Sequence, residues 1–200
     1  MKQNNILNGF FVIEGLDGAG TTTQAEAVSK KLGLQMTAEP TSGDTGKLLR
    51  RCLSGEISVP KSTMAYLFAA DRFEHMYGKD GVASRMIQKG RVICDRYLYS
   101  SFAYQGDPSL QPLVGMLNDN FPIPQMIIWL DVPVEVCMER LEKRDGKREI
   151  YENREYLEQV RARYKTMFSG QPNVLIIDGT LPKETITDII VKAISKECSI

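Results

Sequence analysis

Glycines at 15, 18 and 20, Asp17 among them and threonines at 21 to 23 have the spacing of a loop that wraps a phosphate. In the pattern G-x-x-x-x-G-K-S/T the backbone N–H groups curl round the anion, and the helix that follows adds the positive end of its dipole. Gly15, Asp17, Gly18, Ala19, Gly20, Thr21, Thr22 and Thr23 are thus the candidates for holding a phosphate tail, with Thr22 in the hydroxyl slot that takes Mg2+ in such loops. One slot departs from the pattern: Thr21 stands where the lysine belongs. That lysine puts a full positive charge on the transferring phosphates, and losing one such preorganised group costs ~100- to 1,000-fold in rate. The bland reading of the same stretch is a tight strand-to-helix turn with no ligand.

Three further groupings carry chemistry. Asp95-Arg96-Tyr97 follows the buried run Arg91-Val92-Ile93-Cys94 and opens a segment to Gly106 that is dense in hydrogen-bonding side chains. In open α/β sheets the C-terminal end of a strand is where ligands bind, so this pair reads as functional ahead of a purely structural ion pair. Phe68 and Arg72 are four apart and share a helix face, an aromatic ring beside a guanidinium, which suits a nucleobase. The third is a dense run of charge from Arg140 to Glu149 around Gly146, either a solvated face or a lid that closes cations over a phosphate. Arg50 and Arg51 on an amphipathic segment read, by pattern alone, as a solvated face.

The elements that must position these groups alternate between strand and helix. Apolar runs at Phe10–Ile13, Leu34–Ala38, Arg91–Asp95, Met126–Asp131 and Val174–Asp178 predict five strands. Helical patterns follow: a first helix stopped by Gly33, one starting near Thr45, a long one over 61–89, then Val134 to about Arg144, about Asn153 to Phe168, and Pro182 to Lys196. In the long one Ala65, Phe68, Ala69, Phe73 and Met76 form an apolar stripe that reads as core, or else as an interface. Alternation of this kind predicts an α/β three-layer sandwich, a five-stranded parallel sheet covered by helices on both faces. At 200 residues, one domain over 1–200 is expected, with the lid at about 140–153.

Composition narrows the classes. With 25 basic and 25 acidic residues the formal net charge is zero, so no global field favours nucleic acid or a membrane surface. Basic residues form no long stripe interleaved with aromatics, which argues against nucleic-acid binding. No stretch approaches the ~18 apolar residues of a membrane helix, and the apolar run after the polar N-terminus is too short for a signal peptide. Cys52, Cys94, Cys137 and Cys198 lie far apart with no C-x-x-C pair, which fits a reducing compartment and a cytoplasmic protein.

Taken together the segments resemble the thymidylate kinases, P-loop enzymes that pass the terminal phosphoryl group of ATP to dTMP. The resemblance rests on EGLDGAG at 14 to 20, EP at 39 to 40, LFAADR at 67 to 72, DRYLYSSFAYQG at 95 to 106, WLDVPVEVCMERL at 129 to 141 and VLIIDG at 174 to 179, in the family's order over nearly the whole chain. It implies the P-loop NTPase fold, ATP and dTMP as substrates, Mg2+ held by Thr22 and Asp95, and a homodimer. It further implies that Asp17 reaches the 3′-hydroxyl of the deoxyribose and that Arg50 and Arg96 hold the acceptor phosphate. Phe68 would stack on thymine, Arg72 would donate to its O4, Ser101 and Gln105 would address the base edge, and Tyr104 would crowd the 2′ position. Asp95 would sit by Mg2+ with Glu39 nearby. The family's arginine beside the transferred phosphate comes from the loop position after the aspartate, here Gly18, or from the lid. Arg144 and Arg148 are therefore the expected catalytic cations beside Asp95 and Arg96. Two alternatives stay open: a kinase for another pyrimidine monophosphate, and a nucleotide-binding homologue weakened by the loss of its lysine at Thr21.

Overall fold

The computed structural model describes residues 6–82, 84–85, 90–143 and 153–197. Five strands, β1 (Ile6–Gly15), β2 (Gln35–Ala38), β3 (Val92–Asp95), β4 (Ile123–Asp131) and β5 (Val174–Asp178), form one parallel sheet in the order β2-β3-β1-β4-β5. The described helices are α1 (Thr21–Leu32), α2 (Asp44–Leu53), α3 (Lys61–Tyr77), α4 (Leu98–Tyr104), α5 (Gln111–Asn118), α6 (Val134–Glu142), α7 (Arg154–Phe168) and α8 (Lys183–Glu197). This is the α/β architecture that the alternating pattern predicts.

Both sheet faces are covered, and β1 shows why. Successive side chains of a strand point to opposite faces. Phe11 and Ile13 accordingly join the core under α1, α7 and α8, while Phe10 and Val12 join a second core with Met76, Tyr97, Leu98 and Phe121. All four are fully buried, which is why the run reads as continuous rather than alternating. In the first core Trp129 of β4 stacks on Tyr164 at 6.1 Å and tilts against Phe168 at 5.8 Å, seating α7 on the sheet. Asn153 caps α7, its Oδ1 accepting the Tyr156 N–H at 2.9 Å.

Three expectations need correction. The long helix stops at Tyr77 instead of reaching residue 89, because two glycines break the pattern. Gly78 turns extended while its N–H still bonds Glu74 O, and Gly81 N–H closes a turn onto Gly78 O. Residues 83 and 86–89 lie outside the described set. Phe73, assigned to the inward stripe, is 62% exposed, whereas Ala65, Ala69 and Met76 of the same stripe are buried. β4 also starts three residues earlier than expected, at Ile123, and neither α4 nor α5 is predicted by the sequence pattern.

Candidate active site

The end of β1 and the start of α1 build the first half of the site. Gly18 and Gly20 take left-handed backbone conformations, and a Cβ on Gly18 would lie 2.6 Å from the Cys137 carbonyl oxygen. α1 begins with no side-chain cap and no acid in its first turn. Among the described residues its first N–H groups therefore have no capping side chain and point, with the helix dipole, at whatever anion enters. Residues 17–24 of this loop and helix line a cavity of about 480 Å³ together with Arg96, Arg140, Gly179, Leu181, Lys183 and Ile186. Arg140, read from sequence only as part of the charged run, braces the loop from outside. It donates to Gly18 O and Ala19 O at 3.3 Å and to Gly179 O at 3.2 Å.

The second half lies across the end of β3. A cavity of about 540 Å³ is lined by Glu39, Arg50, Phe68, Arg72, Asp95, Ser101, Tyr104 and Gln105, among others. Asp17, Thr22 and Arg96 line both cavities. The two spaces thus meet at one aspartate, one threonine hydroxyl and one guanidinium.

Arg96 is held at that junction by several contacts. Its backbone is left-handed, φ 67°, with its N–H donating to Ile13 O at 2.9 Å. Nη1 donates to Gly15 O at 2.8 Å and Ser100 Oγ at 3.2 Å, Nη2 pairs with Asp17 Oδ1 at 2.7 Å, and the Tyr104 ring lies 5.4 Å from the guanidinium carbon. Thr22 Oγ1 donates to Asp95 Oδ2 at 2.5 Å, leaving Asp95 Oδ1 buried and without a hydrogen-bond partner among the described residues. A hydroxyl oxygen beside an unsatisfied carboxylate oxygen is the donor set that a small hard cation takes, so these residues fit Mg2+.

Other residues sit less simply than expected. Arg50 is exposed, yet its guanidinium is anchored to the Pro40 and Thr41 carbonyls beside this second cavity, while Arg51 pairs at the surface with Glu56 at 2.8 Å. Asp71 fixes the same turn, accepting from Thr41 N at 2.8 Å and Thr41 Oγ1 at 2.6 Å. Phe68 is half-buried, lining the cavity on one side and packing on Leu49, Cys52 and Met64 on the other. Glu39 lines the cavity, but its oxygens go to Arg72 and to His75 Nδ1 at 2.9 Å. Burial alone would raise its pKa; the Arg72 charge and the His75 contact outweigh that and hold it low. Gln105 Nε2 is buried with no partner among the described residues. Arg144 and Arg148 lie outside the described residues.

Glu14 is the residue that sequence reading passed over. It is fully buried, and its Oε1 accepts Tyr97 N–H at 2.9 Å and Ser100 N–H at 3.3 Å, while Oε2 accepts Ser100 Oγ at 2.7 Å and the Tyr164 hydroxyl at 2.9 Å. It thereby ties the start of α4, just after Arg96, to β1 and α7. A buried acid inside an apolar strand was the signal available.

A model of the family described as thymidylate kinase matches residues 13–190. The chain belongs to the thymidylate kinase family. A relative from Leptospira interrogans named "Thymidylate kinase" is 35% identical over 185 residues, 88% of this chain and 83% of that protein. One from Methanococcus aeolicus, named "Probable thymidylate kinase", is 36% identical over 199 residues, 96% of this chain and 98% of that protein. The solved thymidylate kinase of Candida albicans shares the fold, with a TM-score of 0.76 at 23% identity over 96% of this chain and 92% of that one. Thymidylate kinases are nucleotide-binding phosphotransferases, and membership makes transfer from ATP to dTMP the reaction of this chain.

Burial drives the Glu14 pKa up from 4.5 to about 7, against the hydrogen bonds from Ser100 and Tyr164 and the charge of Arg96. The folded state therefore holds this proton more tightly than the unfolded chain, and ionising the group costs stability as pH rises from 4.5 through about 7. Relative to Glu14→Gln, the wild type should lose on the order of 3 kcal/mol across that window in denaturant titrations. Parallel stability curves for the two proteins would contradict this account of Glu14.

Proposed function

We propose that this chain is a working dTMP kinase, with ATP in the cavity of the glycine loop and dTMP in the cavity beneath Arg72. The supporting observation is that, among the described residues, the two spaces share Asp17, Thr22 and Arg96 and no other. Phosphoryl transfer has a loose transition state, so what it asks of a protein is positioning and charge neutralisation. Arg96 and Arg50 orient the acceptor phosphate, forks suited to its oxygens. Phe68 stacks on thymine, Arg72, Ser101 and Gln105 address its polar edge, Asp17 takes the 3′-hydroxyl, and Tyr104 disfavours a 2′-hydroxyl. Thr22 and Asp95 would hold Mg2+, which when bound neutralises charge on the phosphate oxygens. The whole chain acts as one kinase domain in the cytoplasm; no described helix is long and apolar enough to cross a membrane.

Thr21 favours a second reading, a homologue that binds both nucleotides but transfers slowly. Its side chain tucks into the loop, 5% exposed, with Cγ2 3.0 Å from where a Cβ on Gly15 would stand, and supplies no charge. We favour full activity, with the missing charge supplied by Arg148 or Lys147 and with Arg144 the other lid arginine. The homodimer implied by the family places a second copy on the exposed apolar side chains Tyr66, Phe73 and Tyr77 of α3 and Met116 of α5.

Coupled ADP release with dTMP, dUMP, dCMP and dGMP tests the assignment: dTMP should be preferred, and release with none of them would favour the weakened homologue. Arg148→Ala should lower turnover ~100-fold or more while dTMP affinity stays within a few-fold, and Thr21→Lys should then add little; wild-type rates in the first variant reject the lid substitution. Phe73→Glu should yield monomers by light scattering, whereas an unchanged mass would exclude this face.

A further inference from the structure

Arg72 is 1% exposed yet lines the acceptor cavity. Nε donates to Glu39 Oε2 at 2.9 Å, and Nη2 lies 2.8 Å from the same oxygen. Nη2 also donates to Ser101 Oγ at 3.1 Å, and Nη1 donates to Asn118 Oδ1. The rings of Tyr97 and Phe121 lie 5.5 and 5.7 Å from the guanidinium carbon. A guanidinium has five N–H groups and never becomes an acceptor in a protein. Hydrogen bonds occupy three of them and the ion pair with Glu39 lies against Nη2, while the second hydrogen on Nη1 has no partner among the described residues.

The partners of Arg72 are themselves fixed. Glu39 Oε1 faces His75 Nδ1, and His75 Nε2 lies 2.6 Å from Thr37 Oγ1. Asn118 Nδ2 donates to Val114 O at 2.8 Å within its own helix, which points its oxygen at Arg72. A second unpaired donor, the buried Gln105 Nε2, belongs to a residue of the same cavity. A ring seated there meets donors it cannot turn aside.

We propose that Asn118 and Glu39 are positioning residues that set base selectivity: by pinning Arg72 they confront the acceptor base with a fixed N–H donor, which an oxo group satisfies and an amino group does not. This rests on the dTMP reading above. Thymine offers an oxygen at position 4; cytosine offers an N–H2 group, which sets donor against donor and leaves both buried and unsatisfied. Such a mismatch costs roughly 10- to 100-fold in affinity, provided that the guanidinium cannot swing away. Without Asn118 the Nη1 end is released, and the penalty on cytosine relaxes.

The test is the ratio of kcat/KM for dTMP to that for dCMP, a quantity independent of how much enzyme is folded. Asn118→Ala should lower the ratio roughly tenfold or more, mainly through a lowered KM for dCMP, with KM for ATP nearly unchanged. Asn118→Asp, which keeps an oxygen for Nη1, should retain the wild-type ratio within about threefold. Where Asn118→Ala does not fold, Asn118→Leu, which fills the same space without an acceptor, takes its place and should also lower the ratio. A folded Asn118→Ala or Asn118→Leu enzyme that keeps the wild-type ratio overturns the clamp alone; a wild type with no preference for dTMP over dCMP overturns the dTMP reading with it.

Discussion

The placement of one guanidinium constrains this molecule more than any other contact. Arg96 occupies a backbone conformation that a side chain with a Cβ enters at a cost of about 1 kcal/mol or more. The left-handed turn carries the chain from the end of β3 straight into α4 and aims the side chain back across β1. Its hydrogen bonds to Ile13 O and Gly15 O and its pairing with Asp17 offset the strain and fix the guanidinium as a wall common to two cavities. Both cavities depend on this turn, because Arg96 lines the two of them.

Two buried glutamates show how differently the same side chain is tolerated on either side of that turn. Glu39 faces a whole guanidinium and a histidine, and its charge is the favoured state. Glu14 has amides and hydroxyls for partners, with Arg96 a more distant positive charge, and desolvation wins. Hydrogen bonds alone orient a buried carboxyl without compensating the loss of water around its charge. The first glutamate fixes the Arg72 end of the cavity and the second fixes the Arg96 end.

The fold was legible in the sequence because its central strands are buried on both faces, which writes them as unbroken apolar runs between glycines and prolines. Helix ends were less legible: the stripe of α3 continues in pattern beyond Gly78, and only the backbone shows that two glycines there close a turn. Phe73 fitted the stripe by type, yet nothing local states which side of a helix the sheet will take. At the site, the glycine spacing and the Asp95-Arg96 pair stood out because their residue types are unusual at a strand end. Glu14, Asn118 and Arg140 did not stand out. Their partners are 83 to 150, 46 and 39 to 122 positions away in the chain, so their roles exist only once the sheet brings those segments together.

The seat of α7 carries a consequence for optical spectroscopy. The chain has a single tryptophan, and Trp129 is buried at the core of β4 with its ring against Tyr164. The hydroxyl of that same tyrosine ends on the Glu14 carboxylate. Intrinsic fluorescence from one native fluorophore therefore watches, without any label, the joint at which the sheet, α7 and the turn bearing Arg96 are fastened together.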